Sequence, residues 1–195
     1  MSAAATPRLV LASTSPQRRA ILEQLRIPFD AVAPRYLEHD PPEADPVDLV
    51  RAHAVGKARS VHRDGTATLG VDTTVHLDGR VYGKPAEEAE AGAMLRELAG
   101  RTHAVLSGVC LITPDVEIVE HAETHVTFRE LRDDVVAAYV ASGEWRGRAG
   151  AYAIQGLGGR LVERIEGDYL NVVGLPGALL VRTLERELPA ILVPG

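Results

Sequence analysis

The stretch from Arg8 to Leu25 constrains the fold more than any other. Arg8-Leu-Val-Leu-Ala12 is a short apolar run, Ser13-Thr-Ser15 is a hydroxyl-rich break, and Pro16 opens a helical pattern that runs to about Leu25. A buried strand that feeds a loop and then a helix N-terminus is a common geometry for anion binding, because the first backbone N–H groups of the helix have no partner inside it. Ser15 reads as the N-cap and Pro16 as the first helical residue. Arg18 and Arg19 then fall in the first turn, where the helix dipole disfavours cations by roughly 0.3–1 kcal/mol each. A bound anion removes that conflict, and a solvated arginine face also tolerates it. The loop is not of the Walker type, since Gly-Lys-Ser/Thr is absent.

Further along, Phe29 to Pro46 is rich in proline and acid (Glu38, Asp40, Glu43, Asp45) and reads as a surface loop. Val47, Val50, Ala54, Ala58 and Val61 have helical spacing, which predicts a helix from Pro46 to about His62 with Lys57 embedded in its apolar run. Ala67 to Val71 and Val75 to Leu77 are strand-like, and Asp78-Gly79 signals a hairpin before Val81 and Tyr82, so Asp72 is expected at or near a strand end. A helix over Glu87 to Ala99, strands over His103 to Thr113 and Glu117 to Phe128, and a helix from about Leu131 to Ala141 follow. The remainder reads as glycine turns around Gln155, a strand from about Arg160 to Ile165, a loop over Gly167 to Asn171, and a last helix from Pro176 to Glu187. Helices and strands in this order, with a hairpin and two long neighbouring strands, predict an α/β or α+β domain on a mixed sheet.

With 195 residues, 46% of them apolar, the chain can bury a core, and no linker divides it, so one domain over residues 1–195 is expected, with residues 1–7 disordered. A net charge of −6 argues against non-specific nucleic-acid binding, so any phosphate recognition is local. No apolar run approaches the roughly 20 residues that span a bilayer, and the first residues lack a secretory pattern, so a cytoplasmic protein without membrane attachment is expected. The single Cys110, within Val109-Cys-Leu-Ile112, reads as a core thiol.

Three segments carry the chemistry: Leu11-Ala-Ser-Thr-Ser-Pro-Gln-Arg18, Gly70-Val-Asp-Thr73 with Gly83-Lys-Pro85, and Gly150-Ala-Tyr-Ala-Ile-Gln-Gly156. With Asn171-Val-Val-Gly-Leu-Pro176 they extend over most of the chain, from Leu9 to about Pro176, and in this order the chain resembles the Maf family of nucleoside triphosphate pyrophosphatases. The resemblance implies an elongated two-lobed α/β fold related to the inosine triphosphatases, a mixed twisted sheet flanked by helices, and a homodimer. It also implies hydrolysis of a nucleoside triphosphate to the monophosphate and pyrophosphate with a divalent cation, Mg²⁺ or Mn²⁺.

On the same basis Asp72 corresponds to the proposed proton acceptor and Glu38, with Asp72, to the metal-associated acids, although Leu37 stands where an acid is often found. Arg18, Lys57 and Lys84 correspond to phosphate-binding cations, with Ser13 and Ser15 as hydroxyl donors. Read without the resemblance, Asp72 could equally cap a turn, Glu38 be one more solvated acid, and Ser15 act only as a cap. Gln17, Thr73 and Gln155 occupy the positions that separate members acting on dTTP and UTP from members acting on 7-methyl-GTP. Thr73 and Gln155 resemble the pyrimidine type, and Gln17 is neither the usual arginine nor a tryptophan, so a pyrimidine or modified nucleotide is expected. An amide at position 155 suits uracil or thymine, because it both donates and accepts. The alternatives are a 7-methyl-GTP pyrophosphatase and a nucleotide-binding regulator of septum formation.

His121 and His125 have helical metal-ligand spacing but lie in an alternating, strand-like stretch, so they read as solvent-facing strand residues. Trp145, in Gly143-Glu-Trp-Arg-Gly147, reads as a loop anchor, with lining of a base pocket as the alternative.

Overall fold

The structure is a computed structural model that describes residues 8–41 and 44–192. The expected disorder of residues 1–7 lies outside them, as does Glu43 of the acidic stretch. In chain order the elements are β1 (Leu9–Ala12), α1 (Pro16–Gln24), β2 (Phe29–Val32), α2 (Pro46–Val61), β3 (Ala67–Leu77), β4 (Arg80–Tyr82) and α3 (Glu88–Leu98). They continue with β5 (Thr102–Ile112), β6 (Glu117–Phe128), α4 (Asp133–Ala141), β7 (Val162–Glu166), α5 (Tyr169–Val173) and α6 (Gly177–Glu187). The strand order is β2-β1-β3-β5-β6-β7, with β4 paired to β3. Because β1 runs parallel to β2 and β3 while β3–β4 and β6–β7 are antiparallel, the sheet is mixed, as the sequence predicts. No helix among the described residues is long and apolar enough to cross a membrane.

Three expectations are corrected. The predicted loop after Phe29 begins with β2, an edge strand that escapes notice because Asp30 to Val32 are exposed and its pairing is to β1 rather than to a neighbour in sequence. Asp72 does not end a strand: Thr73 and Thr74 interrupt the apolar run, yet β-branched threonines fit a pleated strand, and β3 continues to Leu77. The ladder with β1 does stop at Gly70, so Asp72 lies just past the end of its neighbour. The predicted loop over Gly167 to Asn171 turns into α5, for which Asp168 accepts a hydrogen bond from the Leu170 N–H at 2.8 Å. The Asp78-Gly79 hairpin is present, with φ of 49° and 80° at its two central residues, the left-handed pair that a two-residue turn of this kind requires.

The described residues divide into two compact units, the first drawn from Met1–Asp72, Ser107–Ala122 and Gly174–Gly195, the second from Thr73–Leu106 and Glu123–Val173. In the first unit α2 starts at an Asp45 cap that accepts from the N–H groups of Val47 and Asp48, followed by Pro46. The helix rests on two glycines. A Cβ on Gly70 of β3 would come within 2.1 Å of the Ala54 carbonyl oxygen, and one on Gly108 of β5 within 2.1 Å of the Val50 carbonyl oxygen. Cys110 is fully buried with Ala54, Ala58 and Ile112 beneath the same helix, and burial pushes its thiol up to about 12.

The second unit has its own core, in which Val75, Leu95, Phe128, Tyr139, Trp145 and Leu161 pack together. His103 of β5 is set into this core at 1% exposure, its Nε2 2.9 Å from the Tyr152 hydroxyl and its ring edge-on to Phe128. Burial, with a smaller contribution from His125, pushes its pKa down to about 4. The unfolded chain takes up a proton on this ring near pH 6.5 and the folded chain does not, so the stability it contributes is complete above pH 6.5 and drains as the pH falls towards 4. Between pH 7 and pH 4 the wild type should therefore lose roughly 3 kcal/mol more than His103→Leu in urea titrations. Equal losses would show that His103 accepts its proton in the folded state.

Candidate active site

In the first unit the sequence-predicted residues converge. Lys57 lies on α2 at 7% exposure, and its Nζ is 2.5 Å from Asp72 Oδ1 and 2.6 Å from Glu38 Oε1. The approach follows from the glycine contact: Gly70 and Asp72 are two apart on β3, so their side chains leave the same face, and with no Cβ at Gly70 the helix comes close enough for Lys57 to reach the carboxylate. A buried amine without a partner is costly, and here two carboxylates offset that cost. Burial opposes the charge on Asp72, but the charge and hydrogen bond of Lys57 outweigh it, with Arg18 and His53 adding to the effect, and the carboxyl is held below its usual range. Asp72 is therefore ionised at neutral pH.

The hydroxyl loop forms the cap that the sequence predicts. Ser15 Oγ accepts from the Arg18 N–H at 3.4 Å and donates to Gln17 Oε1 at 3.1 Å, while Ser13 Oγ accepts from the Ser15 N–H at 3.1 Å. Arg18 turns back, its Nε donating to the Gly174 carbonyl at 2.9 Å and one terminal nitrogen to Ser13 Oγ at 3.4 Å. Burial draws its pKa down, while Asp72 and then Glu38 raise it.

Sequence reading misses what holds Glu38. Its exposed loop is fastened to α2 by a chain of polar contacts, in which the Tyr36 hydroxyl lies 3.1 Å from His53 Nδ1 and His53 Nε2 lies 2.7 Å from Asp40 Oδ1. The ring of Tyr36 occupies the space that a side chain at Gly56 would need, with a Cβ there falling 2.2 Å from it. The signal is present but faint: Tyr36, Glu38 and Asp40 alternate along the loop, and His53 and Lys57 are one helical turn apart on α2.

Glu38 and Asp72 converge on one ammonium, and two carboxylates are a donor set that a hard divalent cation accepts, with water and phosphate oxygens completing its shell. Among the described residues no cluster of three or more His, Cys, Asp or Glu side chains is placed to hold a metal ion. His121 and His125 are both exposed on β6, and His125 pairs with Glu123 at 3.2 Å.

Thr73, Lys84 and Gln155 belong to the second unit. There the segment around Lys84 and the one leading to Gln155 are joined, the Gly150 N–H donating to the Gly83 carbonyl at 3.2 Å. Lys84 and Gln155 are exposed and Thr73 is half-buried on β3. Trp145 is a loop anchor, 3% exposed with Nε1 donating to the Val140 carbonyl at 3.0 Å.

Residues 8–187 match the model of a family described as Maf-like protein. A dTTP/UTP pyrophosphatase of Symbiobacterium thermophilum is 48% identical over 87% of this chain and 88% of its own. A dTTP/UTP pyrophosphatase of Deinococcus radiodurans is 45% identical over 94% of this chain and 95% of its own. Among solved structures, a HAM1 protein from Coxiella burnetii aligns with 63% of this chain and 73% of that chain, at 17% identity and a TM-score of 0.42.

Proposed function

The chain belongs to the Maf-like protein family, and from that premise we propose that it hydrolyses nucleoside triphosphates to the monophosphate and pyrophosphate, with dTTP and UTP as its preferred substrates. The observation that carries this reading is the Glu38–Lys57–Asp72 arrangement, an ionised, largely buried carboxylate held beside a second acid by a buried amine. It occurs in a chain whose relatives named dTTP/UTP pyrophosphatase align over nearly its whole length.

In this reading a water molecule attacks the α-phosphorus, its proton passes to Asp72, and the bond to the bridging oxygen breaks so that pyrophosphate departs. Charge in such a transition state spreads over the non-bridging oxygens, so fixed cations and N–H donors carry most of the stabilisation. Arg18, Lys57 and Lys84 supply cations, and Ser13 and Ser15 supply hydroxyls beside the N-terminus of α1. Glu38 and Asp72 would hold a divalent cation such as Mg²⁺ or Mn²⁺, which supplies further neutralisation of phosphate charge. Gln155, with Thr73 and Gln17, reads the base, since an amide pairs with the donor and acceptor of uracil or thymine.

The test is chromatographic identification of products from dTTP, UTP, CTP, GTP and 7-methyl-GTP with Mg²⁺ or Mn²⁺. Monophosphate and pyrophosphate in equal amounts, formed fastest from dTTP and UTP, are expected. Release of orthophosphate as the sole product, or turnover of none of the five, overturns the reading.

A further inference from the structure

Gln155 is exposed, yet the turn that carries it is fastened on both sides by two side chains. Tyr139, near the end of α4, accepts a hydrogen bond from the Ala153 N–H at 3.0 Å and donates its own hydroxyl to Glu144 Oε2 at 3.0 Å. Glu144, just beyond α4, accepts from the Leu157 N–H at 3.0 Å and the Gly158 N–H at 2.9 Å. One Tyr–Glu pair thus holds the chain before Gln155 and the chain after it. The glycines complete the closure, because a Cβ on Gly156 would lie 2.0 Å from Glu144 Oε1 and one on Gly158 would lie 2.5 Å from the Ala153 carbonyl oxygen.

The pair is itself rigidly mounted. Tyr139 is 5% exposed, the neighbouring Trp145 is 3% exposed, and the Glu144 N–H donates to Ser142 Oγ at 3.3 Å. Burial works against a charge on Glu144, but the two backbone donors and the tyrosine hydroxyl hold its carboxyl below the usual range, so it acts as a charged acceptor at neutral pH. No step of the proposed hydrolysis uses either residue.

We propose that Glu144 and Tyr139 are positioning residues that set nucleobase discrimination by fixing the turn that presents Gln155. The proposal rests on the reading of Gln155 as the base-reading amide. A small displacement of a reading group costs the contact that separates one base from another, whereas the phosphate-binding residues are carried by other segments. Glutamine at position 144 keeps the shape but offers one carbonyl oxygen and an NH₂ group to what were three donors, so the clamp cannot close as it does with a carboxylate.

The experiment measures kcat/KM for UTP and CTP in the wild type, Glu144→Gln, Tyr139→Phe, Gln155→Ala and the Glu144→Gln/Gln155→Ala double variant. The UTP-over-CTP ratio should fall about tenfold in Glu144→Gln, the scale of one misplaced hydrogen-bonded contact, and should fall in Tyr139→Phe as well. In the double variant the ratio should fall no further than in Gln155→Ala alone, because both changes remove the same contact. A merely structural role lowers both substrates equally and adds to the effect of Gln155→Ala. If Gln155→Ala collapses the ratio while Glu144→Gln and Tyr139→Phe keep the wild-type value, the clamp proposal fails and the base-reading role of Gln155 stands. If Gln155→Ala leaves the ratio unchanged, the reading of Gln155 fails and the proposal goes with it. Should Glu144→Gln not fold, Tyr139→Phe carries the same comparison.

Discussion

Asp72→Asn is expected to lower kcat about 10³-fold, within the 10²–10⁴ range associated with loss of a positioned proton acceptor, or roughly 4 kcal/mol of barrier. The amide keeps the shape of the side chain and removes its negative charge. Lys57 retains its contact with Glu38, so the buried amine is not left alone and the protein should fold. Thermal unfolding and the product assay on the same preparations separate the two effects. A variant that folds and hydrolyses dTTP or UTP at a near-wild-type rate would sink the assignment of Asp72.

Gly70→Ala is expected to act through the fold. The added methyl group would meet the Ala54 carbonyl oxygen at 2.1 Å and the Ala58 N at 2.7 Å, both backbone atoms of α2, which cannot rotate away as a side-chain tip can. Overpacking of a tight core contact costs about 1–3 kcal/mol, and a helix forced off its sheet belongs at the upper end. Lys57 immediately precedes Ala58, so the shift also draws the ammonium from Asp72, and activity should fall further than the folded fraction does. Urea titration together with kcat/KM per folded molecule would reveal this, and unchanged stability would mean that α2 tolerates a side chain beneath it.

Much of this arrangement is legible in the residues. The apolar run, hydroxyl loop and proline of the first segment specify β1 and α1, the spacing of Val50, Ala54 and Ala58 specifies α2, and an amine among those residues points to a buried ionic contact. What is not legible depends on tertiary approach. β2 is an exposed edge whose partner is set by the sheet, and mid-strand placement of Asp72 is concealed by two threonines. The link from Tyr36 through His53 to Asp40 exists because Gly56 leaves room for a ring, and the alternation of Tyr36, Glu38 and Asp40 marks it only faintly in the sequence. Two of the hydrogen bonds of Glu144 go to the backbone N–H groups of Leu157 and Gly158, which any residue there except proline would supply, and only Tyr139 is a side-chain partner.

Cys110 gives the chain a built-in reporter. As the single thiol of the protein, sealed against Ala54 and Ala58 and kept protonated by burial, it offers electrophiles and oxidants no thiolate while α2 is seated. Labelling of the thiol is expected to require that helix to lift, so its rate should read the opening of the same helix that brings Lys57 to Asp72.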